Sequence, residues 1–260
     1  MMHKTIHYCW FGGNPKSELI LKCMESWKKV CPDFEIVEWN ESNFDVSCCR
    51  YVKEAYEAKK WAFVSDYARF WILYHFGGIY VDTDVELIKP LEDLPDTFVG
   101  FEDKHTVASG LIRGACKGDS FCKQMLDSYE KDSFLLEDGS INKTTVCMRE
   151  TALLKEQGLI PNGTLQQIGE TTVYPSEYFS PKNYITGEMK LTSNTVSIHH
   201  YDSSWYSEED KYAIALRTKY SKFMPQKLAL RLSKLMAIKH FRGWRVAIAE
   251  GFRFLRRKKR

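Results

Sequence analysis

Two carboxylates, Asp82 and Asp84, end the run Ile79–Tyr80–Val81–Asp82–Thr83–Asp84. In an extended chain residues two apart point to the same side, so Tyr80, Asp82 and Asp84 share one side and Ile79, Val81 and Thr83 the other. Two carboxylates brought together beside apolar residues repel each other and lose hydration, and a divalent cation relieves both costs. Taken alone, such a pair is more often a pair of solvated acids in a turn. The preceding residues decide between the readings.

Residues 62–76 carry a helical pattern in which Phe63, Tyr67, Phe70, Trp71 and Tyr74 form a broad aromatic face. Ser65, Asp66 and Arg69 fall within roughly 100° of one another on a different face. A surface pair Asp66–Arg69 would contribute only about 0.3 kcal/mol. The helix is apolar almost all round, so a compact polar wedge on it is better explained by a polar ligand. Gly77-Gly78 then end the helix and lead straight into the carboxylate strand, so that wedge and carboxylates can face one pocket.

The elements around this segment alternate between strand and helix. Residues 5–11 are expected as a strand stopped by Gly12-Gly13, 19–30 as a helix closed by Pro32, and 34–39 as a second strand. Helices are expected at 50–60 and 62–76, and a third strand at 79–87. Strands near 97–102 and 106–112 and helices near 119–131 and 145–157 complete the pattern. Such alternation predicts an α/β sandwich with helices covering a largely parallel sheet. Ligands then bind beyond the carboxyl ends of the strands, which points to Trp10–Gly13 and to Asp82–Asp84.

The combined pattern A-x-x-S-D-x-x-R and G-G-x-Y-x-D-x-D, carried by Ala62, Ser65, Asp66 and Arg69 and by Gly77, Gly78, Tyr80, Asp82 and Asp84, resembles the retaining glycosyltransferases with a DxD sugar-binding region. That family includes enzymes of capsular polysaccharides, yeast-type mannosyltransferases and, more distantly, the large glucosylating toxins. The resemblance covers residues 5–102 and extends to 196–206. It implies the glycosyltransferase A fold, a Rossmann-like α/β sandwich. It also implies that Asp84 ligates Mn²⁺ (or Mg²⁺), that Asp82 meets the metal and the donor ribose or phosphate, and that Asp66 and Arg69 bond donor-sugar hydroxyls. Trp10 would stack on the base, and Ser203 and Trp205 would lie near the diphosphate. A third metal ligand is expected from His199 or His200, with His200 favoured. The implied donor is a nucleotide-sugar, UDP-linked in preference to GDP-mannose; the acceptor is a glycan or lipid-linked glycan, and the transfer is retaining.

The 260 residues carry a net charge of +3, which hides an asymmetry: from Arg217 onward there are 15 Lys and Arg against Glu250 alone, leaving −11 on the preceding residues. Residues 1–212 are therefore expected as the catalytic domain and 213–260 as a basic amphipathic helical tail. Lys227, Arg231, Lys234, Arg242 and Arg245 recur near one helical side beside Leu228, Leu232 and Leu235, the pattern of an anchor on an anionic membrane surface. No nucleic-acid recognition motif accompanies the tail. The N-terminus lacks the apolar region of a secretory signal, so a cytoplasmic protein at the inner face of the cell membrane is expected. The eight scattered cysteines form no CxxC pair and are expected as reduced thiols. An aspartate-nucleophile phosphohydrolase also carries DxD after a strand, but it leaves Ser65, Asp66 and Arg69 unexplained. A non-catalytic membrane-associated module is the other alternative.

Overall fold

A computed structural model describes residues 4–202 and 207–256. The chain divides into two units: residues 1–181 with 190–200, and residues 182–189 with 201–260.

The first unit begins with β1 (Thr5–Cys9), α1 (Glu18–Val30), β2 (Glu35–Trp39), α2 (Arg50–Glu57), α3 (Trp61–Phe76), β3 (Gly78–Tyr80) and β4 (Val85–Leu87). It continues with β5 (Phe98–Gly100), β6 (Arg113–Ala115), α4 (Ser120–Glu130), α5 (Val146–Glu156), β7 (Gln166–Ile168), β8 (Thr171–Tyr174), α6 (Ser176–Phe179) and β9 (Ser197–His199). Among the described residues, seven strands form one sheet in the order β2-β1-β3-β6-β5-β8-β7. β1 pairs in parallel with β2 and β3, and β5 with β8, while β6 and β7 run the other way. The sheet is thus mostly parallel and of the mixed α/β class, consistent with the glycosyltransferase A type.

Alternation along β1 divides the core. Ile6 and Tyr8 join Trp27, Phe34, Phe98 and Phe179 on one side. Cys9 joins Tyr67, Phe70, Tyr80 and Tyr129 on the other. Local chemistry sets the helix ends. Ser17 accepts a bond from the amide of Ile20 to start α1, and Asp119 accepts one from Cys122 to start α4. At the end of α3, Gly77 and Gly78 both have positive φ, 70° and 96°. A Cβ would also strike backbone at either position, Lys117 N at 2.7 Å from Gly77 and Thr5 O at 2.8 Å from Gly78. Only glycine lets the chain reverse this tightly into the sheet.

Two expected strands change. The run 79–87 is not one strand: β3 stops at Tyr80, and the amide of Val85 donates to Asp82 O at 3.1 Å, closing a turn before β4. Asp at the first position of a turn is a favoured residue. β4 then leaves the main sheet and pairs antiparallel with β9, Val85 opposite His199 and Leu87 opposite Ser197. The segment 106–112 is also not a strand. After a single bridge from Phe101 to Val107 it turns, Leu111 N bonding to Ala108 O, and the strand proper starts at Arg113.

The second unit contains α7 (Glu208–Tyr220), α8 (Gln226–Arg242) and α9 (Trp244–Arg256). Small residues on α8, Ala229, Ser233 and Ala237, are its buried positions. Arg242 pairs with Glu209 at 2.7 Å, and the rings of Tyr212 and His240 stack at 4.6 Å. Leu228, Phe241, Trp244 and Ile248 are exposed. No described helix is long and apolar enough to cross a membrane.

Candidate active site

The second and third turns of α3 carry the polar wedge. Ser65 donates its hydroxyl to Ala62 O at 2.8 Å, a bond within its own helix. Arg69 reaches across to two acids: its Nη2 lies 3.0 Å from Asp66 Oδ1 and 3.3 Å from Asp82 Oδ1. Its guanidinium also sits over the Tyr80 ring, 4.8 Å from the centroid, and the Tyr80 hydroxyl donates to Asp82 Oδ1 at 3.1 Å. Helix and strand end thus meet in one cluster of Asp66, Arg69, Tyr80 and Asp82.

Exposure separates the roles within that cluster. The Arg69 side chain is 4% exposed and Asp66 14%, while Asp82 is 29% exposed. Asp82 is the member most open to a ligand, with the others ranged behind it. Burial pushes the Asp66 carboxyl up to about 7 against the pull of Arg69, and the like charge of Asp82 adds to the rise. Arg69 is held charged despite its burial by Asp82, Tyr80 and Asp66. Burial also pushes the thiol of Cys9, which lies against this cluster, up to about 12. Arg69 Nη1 is buried without a hydrogen-bond partner, a donor in reserve for an oxygen-rich ligand.

The next residues of the turn build a second group. His199 Nε2 and Asp84 Oδ1 are 3.0 Å apart, and His200 Nε2 lies 2.8 Å from Glu86 Oε2. The β4–β9 register produces this, with His200 N bonded to Asp84 O at 2.9 Å. The sequence favoured His200 as the partner of the carboxylates; the structure sets His199 beside Asp84 and gives His200 to Glu86. Burial opposes a charge on His199, but the carboxylate of Asp84 outweighs it and holds the proton to higher pH than in a free imidazole.

A carboxylate oxygen and an imidazole nitrogen are the donor types Mn²⁺ accepts. No three His, Cys, Asp or Glu side chains gather as a metal cage among the described residues. Mg²⁺-type sites characteristically use one or two carboxylates, with phosphate oxygens supplying the rest. Asp84 and His199, with Asp82 on the same turn, fit such a site.

Trp10 stands at the end of β1, its indole N–H bonded to Asn14 O at 2.7 Å and Lys16 Nζ 5.3 Å from its ring. Beyond it lies a cleft of about 540 Å³ whose lining includes Gly12, Glu41, Tyr56, Lys59 and Trp61. Ser203 and Trp205 lie outside the described residues. Three positions near the carboxylates went unmarked in the sequence. Cys9 borders the Arg69 cluster, and the charge of Glu102 bears on His199. Gly110 is the third: a Cβ there would stand 2.2 Å from Asp82 Oδ2 and 2.8 Å from Arg69 Nη1. Only the glycine, in a segment read as strand, carried a local signal of close approach.

Residues 17–99 match the family model described as a glycosyltransferase sugar-binding region containing a DXD motif. No curated protein matches the chain. Among solved structures it is similar to the PaToxG glycosyltransferase, at 19% identity over 60% of this chain and 70% of that one, with a TM-score of 0.48. A glycosyltransferase involved in glycosylation of the major capsid of PBCV-1 is similar at 11% identity over 84% of this chain and 99% of that one, with a TM-score of 0.45. The family match spans the wedge of α3 and the whole Asp82–Asp84 turn, so residues 17–99 carry a glycosyltransferase sugar-binding region of the DXD type.

Proposed function

We propose that this glycosyltransferase moves a hexose or N-acetylhexosamine from a UDP-sugar to a glycan acceptor, with a divalent cation held at Asp84 and His199 and completed by oxygens of the donor diphosphate, and with Asp82 facing the donor at the sugar end beside Arg69. The observation that carries the reading is Arg69 shared between Asp66 and Asp82 at 3.0 and 3.3 Å, one turn away from the Asp84–His199 pair. Arg69 and Asp66 orient sugar hydroxyls, since a fixed guanidinium between two acids presents donors and acceptors without reorganising. Trp10, with Tyr56 and Trp61 of the cleft, offers the base a stacking surface. When bound, the cation would neutralise the charge that develops on the departing diphosphate. Retention follows from the likeness of the motif to retaining enzymes, as does the role in surface polysaccharide synthesis.

The test is release of nucleoside diphosphate from a panel of UDP- and GDP-sugars, with Mn²⁺ and then with EDTA. Turnover of one UDP-sugar that EDTA abolishes is expected. No turnover and no binding of any donor would overturn the reading. Within it, Gly110→Ala is expected to displace the Asp82 carboxylate. A misplacement of an ångström costs about 10²-fold in rate, read as initial velocity on the donor found by the panel.

The second unit suits attachment to an anionic membrane surface at the cytoplasmic face. Lys227, Arg231 and Lys234 lie on α8, which exposes Leu228 and Phe241, and Trp244 follows it. Each base near anionic lipid contributes ~1 kcal/mol. In the full chain, Lys227→Glu with Arg231→Glu and Lys234→Glu is expected to abolish salt-sensitive sedimentation with phosphatidylserine vesicles. Undiminished binding of that variant would remove the membrane from the account.

A further inference from the structure

Glu150 belongs to no motif of the sequence, yet its side chain is fully buried and bonded at both oxygens. Arg113 Nη1 donates to Oε1 at 2.7 Å and Ser109 N donates to Oε2 at 2.8 Å, with both charged side chains 0% exposed. One residue on, Thr151 Oγ1 accepts from Val107 N at 2.9 Å. α5 therefore grips the segment 107–113 at three points. Gly110 lies between them, and it touches the donor site directly: its carbonyl accepts the amide of Asp82 at 3.1 Å, and its bare Cα leaves the room that Asp82 Oδ2 and Arg69 Nη1 occupy.

Stability alone is a poor reason for this arrangement. Burying two charges costs several kcal/mol, and a well-packed apolar pair of equal size commonly does as well. What an ion pair adds is directional bonding that an apolar pair lacks. Here the directions fix backbone next to the carboxylate that the proposed function places on the donor.

We propose that Glu150 is a positioning residue for the sugar end of the donor site: through Ser109 and Arg113 it sets the height of Gly110, and through Gly110 the placement of Asp82 and Arg69. The inference rests on the proposed donor site. It assigns α5 a part in activity that no side chain of α5 takes by touching substrate.

The experiment compares titration of UDP alone with titration of the UDP-sugar that the wild type turns over. Gln carries one acceptor oxygen where the carboxylate has two, so Glu150→Gln leaves either Ser109 or Arg113 without its bond. Expected is a loss of about tenfold in affinity for the UDP-sugar, the size typical when a group holding a ligand residue from behind is removed. Affinity for UDP alone stays within twofold, roughly the scatter between non-interacting sites. Thr151→Val removes the neighbouring grip without stranding a charge, and it shifts the same ratio in the same direction. It carries the test by itself if Glu150→Gln does not fold. Combined with Gly110→Ala, which displaces Asp82 directly, either variant adds less than its own separate loss. Equal effects on UDP and UDP-sugar, or fully multiplicative losses with Gly110→Ala, would overturn the proposal and leave Glu150 a core residue only. A wild type that binds UDP but no UDP-sugar would instead sink the donor reading, and this inference with it.

Discussion

Asp84→Asn is expected to abolish sugar transfer, by about 10³-fold or more, while the protein remains folded. Asn reproduces the shape of the side chain but not its charge, and anionic oxygen is what a divalent cation selects. Removing a single preorganised electrostatic stabiliser from an active site costs about 10²–10³-fold. Here the loss also weakens the cation that would perform the stabilisation. The fold has less at stake. Asp84 touches His199 at 3.0 Å, a contact an amide can keep, and the strand pairing of β4 with β9 uses backbone. Stability is expected to fall by no more than about 1–2 kcal/mol, because His199, unlike an arginine, can release its proton once the carboxylate is gone and keep a neutral hydrogen bond to the amide. Initial rates with the preferred donor and a thermal melt settle the matter together. The two histidines sharpen it: His199→Gln is expected to follow Asp84→Asn, and His200→Gln, whose partner is Glu86 at 2.8 Å, to keep most of the activity. A folded Asp84→Asn protein with full Mn²⁺-dependent turnover would remove Asp84 from the metal site.

The histidines also mark where sequence stops being informative. The wedge on α3 was legible because helical geometry is local: Ser65, Asp66 and Arg69 can share a face only one way, and the structure places Asp66 and Arg69 3.0 Å apart. The alternation of strands and helices gave the α/β class for the same reason. Which histidine stands beside Asp84 depends on the register of β9 against β4, which joins residues more than a hundred positions apart. Nothing near either histidine encodes it.

The break at Asp82 is a subtler case. Ile79 to Leu87 alternates as a strand should, and Tyr80, Asp82 and Asp84 would then align. The chain instead closes a turn from Asp82 to Val85, and the two acids go to different partners, Asp82 to Arg69 and Asp84 to His199. A buried guanidinium on one side and a distant strand on the other outcompete the local preference for extension, as tertiary context does for strands generally. Gly110 illustrates the opposite limit. Its contact with Asp82 exists because a side chain is absent, and absence leaves only a glycine to read.

Arg69→Met is expected to have the largest effect on stability. Asp66 and Asp82 both lie against this one guanidinium, and its loss strands two acids, one of them 14% exposed. Breaking a buried pair by removing one partner costs about 3–5 kcal/mol. The cost depends on pH. In the wild type, burial already raises the Asp66 carboxyl to about 7, above its unfolded value near 4. The folded state therefore binds that proton more tightly than the unfolded state, and the group's contribution to stability falls as pH rises from about 4 to about 7. Removing Arg69 raises the folded value further, so the extra deficit of the variant grows at alkaline pH and shrinks at acid pH. Denaturant melts of wild type and Arg69→Met at pH 5.5 and 8.5 should show the larger gap at 8.5. Adding Asp66→Asn should close much of it there and little at 5.5, because the amide does at high pH what protonation does at low. A deficit equal at both pH values, unaltered by Asp66→Asn, would mean that Arg69 stabilises the fold by packing against Tyr80 and not by balancing the two acids. In either case transfer is lost, so stability, measured across pH, is the observable that tells the two apart.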